Sequence, residues 1–265
     1  MSRALGAAML AGAALGPAAC GGGAVSAEPV AHAATKTASL KSYRVEATTK
    51  LRIQKRDLTF TAKGVFDPRK KRGRMTLDMS QLNQVQGPSG SPYNLGYATF
   101  ILAGNDMYLR IPLLQARYRN LKPWVKIDLG RLGRAAGLDS FLQFGAGGDP
   151  TRTLRYLNGV GSLHKKGTDT VRGVSTTHYE GTIDLEKVKG ATRLAQALGT
   201  SKLPVDVWVD GDGYVRREKW TEKLDTGAGK TNVAITMELY DFGAPVFAHV
   251  PPARDVTDLT GGSTS

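Results

Sequence analysis

The sequence predicts a mainly β domain of the α+β class, with about ten or eleven antiparallel strands and a few helical segments. Apolar and polar residues alternate through most of the chain after residue 39. This period of two is typical of strands with one buried face and one solvated face. Glycine-rich turns separate the alternating runs, and apolar spacings of three and four occur in only two stretches.

The first half of the domain contains the most regular alternation. Strands are predicted at 43–53, 58–67 and 74–79, then at 98–102, 107–111 and 124–128. In the first of them, Tyr43, Val45 and Ala47 share one face, while Arg44 and Glu46 share the other. The segment 84–92 is rich in glycine and proline, which predicts a loop.

Helical spacing appears at 129–158 and again at 186–198, where Gly199 marks the end of the helix. Asp149 before Pro150 is a good helix start, because aspartate caps the first turn and proline suits its first position. The remaining strands are predicted at 176–185, 205–210, 214–224 and 233–240. Asp210-Gly211-Asp212-Gly213 forms the turn between the second and third of these.

The N-terminal segment has the pattern of an export signal. A single charge at Arg3 precedes a short apolar run, and Ala18-Ala19 then leads to Cys20. This pattern looks like a bacterial lipobox, although Pro17 stands where an aliphatic residue is usual. It predicts a signal peptide at 1–19, acylation of Cys20, and a membrane anchor with a flexible tether at 20–38. The alternative is plain secretion after cleavage near residues 24–27.

Composition restricts the chemistry of the remaining chain. Cys20 is the only cysteine among the 265 residues, so the predicted domain at 39–259 has neither disulfide nor thiolate site, and 260–265 is predicted to be a disordered tail. The formal net charge is +13, which outside the cell favours anionic lipid headgroups or wall polymers as partners. No nucleic acid partner is predicted, because no binding motif for one is present.

The densest basic run is Arg69, Lys70, Lys71 and Arg72. One interpretation is contact with lipid headgroups or the membrane surface. The other is a charged hairpin tip that discourages edge-to-edge aggregation.

No catalytic site, metal site or cofactor is predicted. The histidines His32, His164, His178 and His249 show no metal-ligand spacing and lie beside no recognisable nucleophile. A lone strand histidine such as His178 is typical of packing. The glycine cluster at 145–148 lacks the lysine and serine of a phosphate loop, and the aspartates at 210 and 212 lack the ligand spacing of a calcium loop.

The apolar residues suggest a different role. Two short helical stretches are expected to cover only part of the dry face of so many strands, and the space left over would suit an acyl chain. An ordinary filled core is the alternative. The residues predicted to line a lipid cavity are Phe60, Met75, Leu77, Phe100, Leu102, Leu138, Phe141, Leu142, Leu154 and Leu157.

The order of these elements resembles that of actinobacterial LolA-like lipoproteins related to the LppX/LprG group. The resemblance runs from Ser42-Tyr43-Arg44-Val45 through Trp124-Val125-Lys126-Ile127-Asp128 and Val207-Trp208-Val209-Asp210 to Tyr240-Asp241-Phe242-Gly243. It implies a strongly curved, half-open antiparallel sheet, a half-barrel wrapped around helices. It also implies a lipid or lipoglycan ligand, a site at the outer face of the cytoplasmic membrane, and no catalysis.

Two functions follow from this reading. In the first, the protein carries or presents lipid, with an envelope transporter or transfer protein as a possible partner. In the second, the same fold is an envelope sensor or structural module that binds a protein or an anionic wall polymer.

Overall fold

Residues 24–53, 56–84, 95–118, 120–129, 151–225 and 230–259 are described by a computed structural model of the protein. These residues form one sheet of thirteen strands with short helices. The strands are β1 (Ala24–Val25), β2 (Tyr43–Ile53), β3 (Arg56–Asp67), β4 (Arg72–Asp78), β5 (Tyr97–Ala103), β6 (Asp106–Arg110), β7 (Trp124–Asp128), β8 (Val160–Val171), β9 (Val174–Asp184), β10 (Lys202–Asp210), β11 (Val215–Asp225), β12 (Lys230–Tyr240) and β13 (Val256–Asp258).

The spatial order of the strands is β1-β8-β9-β10-β11-β12-β2-β3-β4-β5-β6-β7-β13, in a curved, open sheet. Neighbouring strands are antiparallel except for β7 and β13, which are parallel. The predicted fold class is therefore confirmed. Three strands were not predicted. The edge strands β1 and β13, of 2 and 3 residues, are too short to show alternation, and the alternation of β8 is interrupted by irregularities between Val160 and Leu163 and between Lys165 and Gly167.

Four helices lie within the described ranges: α1 (Glu28–Ala38), α2 (Pro112–Arg117), α3 (Thr151–Tyr156) and α4 (Thr192–Leu198). Of the predicted helical segment at 129–158, α3 and the single turn at Leu157–Gly159 are described, whereas Asp149, Pro150 and the glycine cluster lie outside the described residues. Helix α4 begins six residues later than predicted, at Thr192. Gly190 has φ +83° just before it, a left-handed conformation that separates α4 from the turn at Leu185–Lys187.

The tether predicted at 20–38 is wrong over its described part. Residues 28–38 form α1, and Val30, Ala33, Ala34 and Thr37 on one side of this helix are buried. Because three of these residues are small or polar, their helical spacing gives only a faint apolar pattern. Upstream of the helix, Ala24 and Val25 pair with His164 and Leu163 of β8. This segment is therefore part of the packed domain.

The main core lies on one face of the sheet, which we call the inner face. Tyr43, Val45, Phe66 and Leu239 from the strands are buried there together with Val30 of α1. A smaller cluster occupies the opposite, outer face, where Ile101 and Tyr108 pack with Ala248 of the segment that follows β12. Both faces of the β5–β6 region are thus covered.

The β8–β9 hairpin also reaches across the outer face. Its tip residue Arg172 donates hydrogen bonds to Glu238 of β12 at 2.6 Å and to Glu46 of β2 at 2.7 Å. The same guanidinium lies 4.0 Å from the ring centre of Tyr240. Because β10 and β11 separate β9 from β12 in the sheet, this contact links strands that are not neighbours. In the described ranges, no helix is long and apolar enough to span a membrane.

Candidate functional site

The inner face is not uniformly buried. Near the end of the strands marked by Tyr43, the inward side chains are fully buried against α1 and the β-sheet core. Toward the other end, a group of inward side chains is only half-buried, and we call it the inner patch. It consists of Ala47, Thr49, Leu51, Phe60, Leu77 and Ile235.

Strand register brings the inner patch together. Thr49 lies between Ile235 of β12 and Phe60 of β3. In the neighbouring row, Ala47 is opposite Ala62, which is opposite Leu77 of β4. Side chains directly opposite one another on adjacent strands stand about 5 Å apart, so these residues form a continuous surface.

The predicted cavity residues separate into three groups. Phe60 and Leu77 belong to the inner patch. Five others are buried members of the main core: Met75, Phe100, Leu102, Leu154 and Leu157. The remaining three, Leu138, Phe141 and Leu142, lie outside the described residues.

The inner face also contains a buried acid that the sequence pattern does not indicate. Glu218 of β11 is 1% exposed and lies between Val207 of β10 and Met237 of β12. Its Oε1 accepts a hydrogen bond from the hydroxyl of Thr153 on α3, whereas its Oε2 is buried without a hydrogen-bond partner. Trp220, two residues further along β11, continues the same face. Glu218 is thus a polar group set in an apolar surface.

Desolvation sets the protonation state of this acid. Burial raises the pKa of the Glu218 carboxyl group to about 8, and hydrogen bonds from the side chains of Thr153 and Trp220 oppose part of that rise. Glu218 is therefore neutral at pH 7. The signal that could have found it is the shared face of Glu218 and Trp220, because tryptophan marks the inward side. The pairing of β10 with β11 has a bulge at Trp208/Val209, which shifts the alternation of β11 by one residue. Alternation counted from the start of β11 therefore does not show that Glu218 faces inward.

The basic run lies at the tip of the β3–β4 hairpin, where Arg69, Lys70 and Lys71 are exposed. Arg72 donates two hydrogen bonds to the carbonyl oxygen of Ala248, through Nε at 3.0 Å and Nη2 at 2.6 Å. This contact places the tip next to the two exposed apolar side chains Phe247 and Val250. We call Arg69–Arg72 with these two residues the basic tip.

Of the other polar groups singled out in the sequence, His178 and Asp210 have structural partners. His178 stacks on Trp208 with ring centres 4.2 Å apart, and its Nε2 lies 2.8 Å from Asp206 Oδ1. In the predicted turn, Asp210 Oδ1 accepts hydrogen bonds from the backbone N–H groups of Asp212 and Tyr214. His32, His164 and His249 are exposed. No cluster of three or more metal-binding side chains occurs in the described ranges, and Cys20 lies outside them.

Comparison with known proteins relates the chain to bacterial lipoproteins. Residues 150–248 match the family model described as LppX_LprAFG lipoprotein. A candidate lipoprotein of Streptomyces coelicolor is 32% identical over 140 residues, which is 51% of this chain and 42% of the relative. An uncharacterised Streptomyces griseus protein is 26% identical over 163 residues, which is 54% of this chain and 52% of the relative. The matches span about half the length of these curated relatives or less.

The fold has a solved counterpart. The crystal structure of the Mycobacterium tuberculosis lipoprotein LppX matches with a TM-score of 0.51 and 16% identity, over 84% of this chain and 97% of that one. At this identity the likeness shows the fold alone. The matched segment, the shared fold and the Streptomyces relatives together confirm the resemblance to actinobacterial lipoproteins of the LppX/LprG group.

Proposed function

We propose that this protein binds the acyl chains of a lipid or lipoglycan on its inner face and carries or presents them without catalysis. The observation that carries the proposal is the inner patch, where inward apolar side chains such as Phe60, Leu77 and Ile235 are half-buried, whereas Tyr43, Val45 and Met107 of the same face are fully buried. Covering an acyl chain of a dozen or more methylenes would supply on the order of 10 kcal/mol before losses. The predicted cavity residues in the main core would then form the wall behind the bound chains.

The N-terminus supports a location at the extracytoplasmic face of the membrane. In this proposal Cys20 is acylated and the protein is lipid-anchored, with secretion as the alternative. Strand β1 begins four residues after Cys20, and Val25 lies opposite Leu163 of β8. The register continues from Leu163 through Gly181, Val205, Trp220 and Ile235 to Thr49. The chain that follows an anchor at Cys20 would therefore join the edge of the sheet in the same cross-strand row as the inner patch.

The basic tip and the inner patch lie at opposite ends of β2 and β3. The pair Tyr43 and Phe66 is the part of these strands close to the tip. Six residues separate Tyr43 from Thr49 in β2, which corresponds to about 20 Å of strand. We propose that the exposed Arg69, Lys70 and Lys71, with Arg72 holding the neighbouring segment, contact anionic headgroups or the membrane surface. Chain burial and charge recognition would then occupy different parts of the molecule.

The basic tip also favours the second candidate function. A cationic surface with two exposed apolar side chains, away from the inner patch, suits an envelope protein or an anionic wall polymer as partner. A transporter or transfer protein could use the same surface. Binding at the tip that persists when the inner patch is blocked would favour this function.

The test is to fill the inner patch. Thr49→Trp adds a large ring on the inner face between Ile235 and Phe60, and Lys50→Trp adds the same ring at the next, exposed position of β2. Each full-length protein is expressed in an actinobacterial host, purified, and analysed by lipid extraction and mass spectrometry. We expect stoichiometric lipid with the wild type and with Lys50→Trp, and at least a fivefold loss with Thr49→Trp.

Absence of lipid from the wild-type protein would contradict the proposal. So would equal lipid content in the two tryptophan variants, provided that both melt cooperatively within a few degrees of the wild type.

A further inference from the structure

Among the described residues, the inner face of the sheet contains a buried acid, Glu218, whose position packing does not explain. Glu218 is almost fully buried on the inner face, and none of the ion pairs found among the described residues involves it. The Thr153 hydroxyl donates a hydrogen bond to Oε1, whereas Oε2 is buried without a hydrogen-bond partner. Buried polar atoms in proteins are nearly always hydrogen-bonded, so an open one points to an absent partner.

The pattern of donors fixes what that partner is. The Thr153 hydroxyl donates to Oε1, so Oε1 acts as the hydrogen-bond acceptor of the carboxyl group. Oε1 is therefore the carbonyl oxygen of the neutral acid, and the proton resides on Oε2. The open atom is a hydrogen-bond donor, so it requires an acceptor.

The position of Glu218 defines the environment of this acceptor. On its two sides in the sheet are Val207 and Met237, and beyond Met237 the row continues with Ala47 of the inner patch. An ionised headgroup would be costly in such apolar surroundings. A neutral carbonyl oxygen accepts a hydrogen bond without bringing a charge or an unpaired donor with it.

We propose that Glu218 is a binding residue whose Oε2 donates a hydrogen bond to the ester carbonyl of an acylated lipid lying along the inner patch. The inference rests on the proposed lipid-binding function and names the polar recognition element within it. Hydrocarbon contact would supply most of the affinity. Glu218 would fix the depth of the ester and favour ester-linked chains over ether-linked chains.

The experiment compares two phosphatidylglycerols that share chain length and headgroup, one ester-linked and one ether-linked. Binding to the full-length protein is measured by competition against a fluorescent lipid. The variants are Glu218→Gln, which keeps an N–H donor of similar shape, and Glu218→Met, which removes the polar group. We expect the wild type to bind the ester lipid roughly tenfold more tightly than the ether lipid, which is the worth of one neutral hydrogen bond. Glu218→Gln should keep most of that ratio, and Glu218→Met should bring it close to one.

The wild-type ratio alone keeps the proposal falsifiable if Glu218→Met does not fold. Equal binding of the two lipids by the wild type overturns the role of Glu218 and leaves lipid binding standing. A preference for ester lipid that persists in folded Glu218→Met also overturns it. If neither lipid binds the wild type, the lipid-binding function fails and this inference fails with it.

Discussion

Glu218 shows how one residue can couple stability to pH in this fold. In the unfolded chain a glutamate ionises near its ordinary pKa of about 4.3, whereas burial raises the pKa of folded Glu218 to about 8. Between these values the folded state holds a proton that the unfolded state has released. Raising the pH through this window therefore favours unfolding, and this contribution to stability is complete only below the lower pKa.

We expect Glu218→Gln to remove this pH dependence. The free energy of unfolding of the variant should rise relative to that of the wild type as the pH increases from 5 to 8, by at most about 1.4 kcal/mol per pH unit. Urea unfolding at pH 5, 6, 7 and 8 measures the difference. Other titrating groups are common to both proteins and cancel. Two parallel stability curves would show that Glu218 does not keep its proton in the folded state.

The sequence predicts the inward position of two site residues but not the burial of Glu218. Phe60 and Leu77 could be assigned to the inward face from alternation alone, and the structure has them there. The burial of Glu218 could not be predicted in the same way, because the bulge beside β10 changes the phase at Arg216. An acid among the arginines and lysines of that strand resembles one more solvated charge until the register is known.

Among the elements, α1 depends most on contacts distant in sequence. Buried Thr37 donates a hydrogen bond from Oγ1 to the carbonyl oxygen of Ala33 at 2.7 Å, and the same atom accepts one from the backbone N–H of Val215 at 2.9 Å. Nearby, Lys36 Nζ donates to the carbonyl oxygen of Asp212 at 2.6 Å. These contacts attach the end of α1 to the β10–β11 turn.

We expect Thr37→Val to destabilise the protein by about 1–3 kcal/mol, because it leaves the buried N–H of Val215 without an acceptor while keeping the shape of the side chain. Thr35→Val is the matched control. Thr35 is exposed on the same helix and makes the same local bond, to Ala31 O at 3.0 Å. Chemical denaturation of both variants measures the effect. Equal stability losses would mean that helix propensity, and not the contact with β11, accounts for the change.

Strands could be predicted from the sequence far better than helices, because alternation is a local signal repeated along each strand. Helix α1 was mistaken for a tether since its buried face is made of Val30, alanines and Thr37, whose apolar content is low. Its helical conformation is stabilised by tertiary packing, which no local pattern displays. Helix α4 starts late because Gly190 has a left-handed backbone conformation. The apolar spacing alone predicts an earlier start.

On the scale of the whole molecule, the arrangement of the sheet depends on contacts between distant parts of the chain. Strand β2, near the start of the domain, pairs with β12, near its end. Arg172 then connects the β8–β9 hairpin to Glu46 and Glu238 on those same two strands. Alternation predicts that each strand has an inner face, but only these pairings determine which inner faces meet. For that reason a lipid cavity can be predicted from the sequence, but the half-buried residues of the inner patch cannot be distinguished from those of the packed core.

Net charge acts on the whole molecule as well, so a test of the basic tip needs a control of equal charge. Arg69→Glu with Lys70→Glu reverses two cations at the tip, whereas Lys50→Glu with Lys165→Glu reverses two exposed cations elsewhere. Both double variants carry a formal net charge of +9, four below the +13 of the wild type. Only the first removes cations beside Phe247 and Val250.

We expect the tip variant to bind vesicles of anionic phosphatidylglycerol and neutral phosphatidylcholine at least about tenfold more weakly than the control variant, since each basic residue near such a surface contributes about 1 kcal/mol. Sedimentation of the vesicles at several salt concentrations measures the binding. For the wild type, binding should weaken as salt screens the charges. If the two variants lose equal affinity, the attraction comes from the overall charge and the tip has no special role. If neither variant loses affinity for vesicles but the tip variant loses affinity for an anionic wall polymer, the basic tip recognises the polymer and the second candidate function gains support.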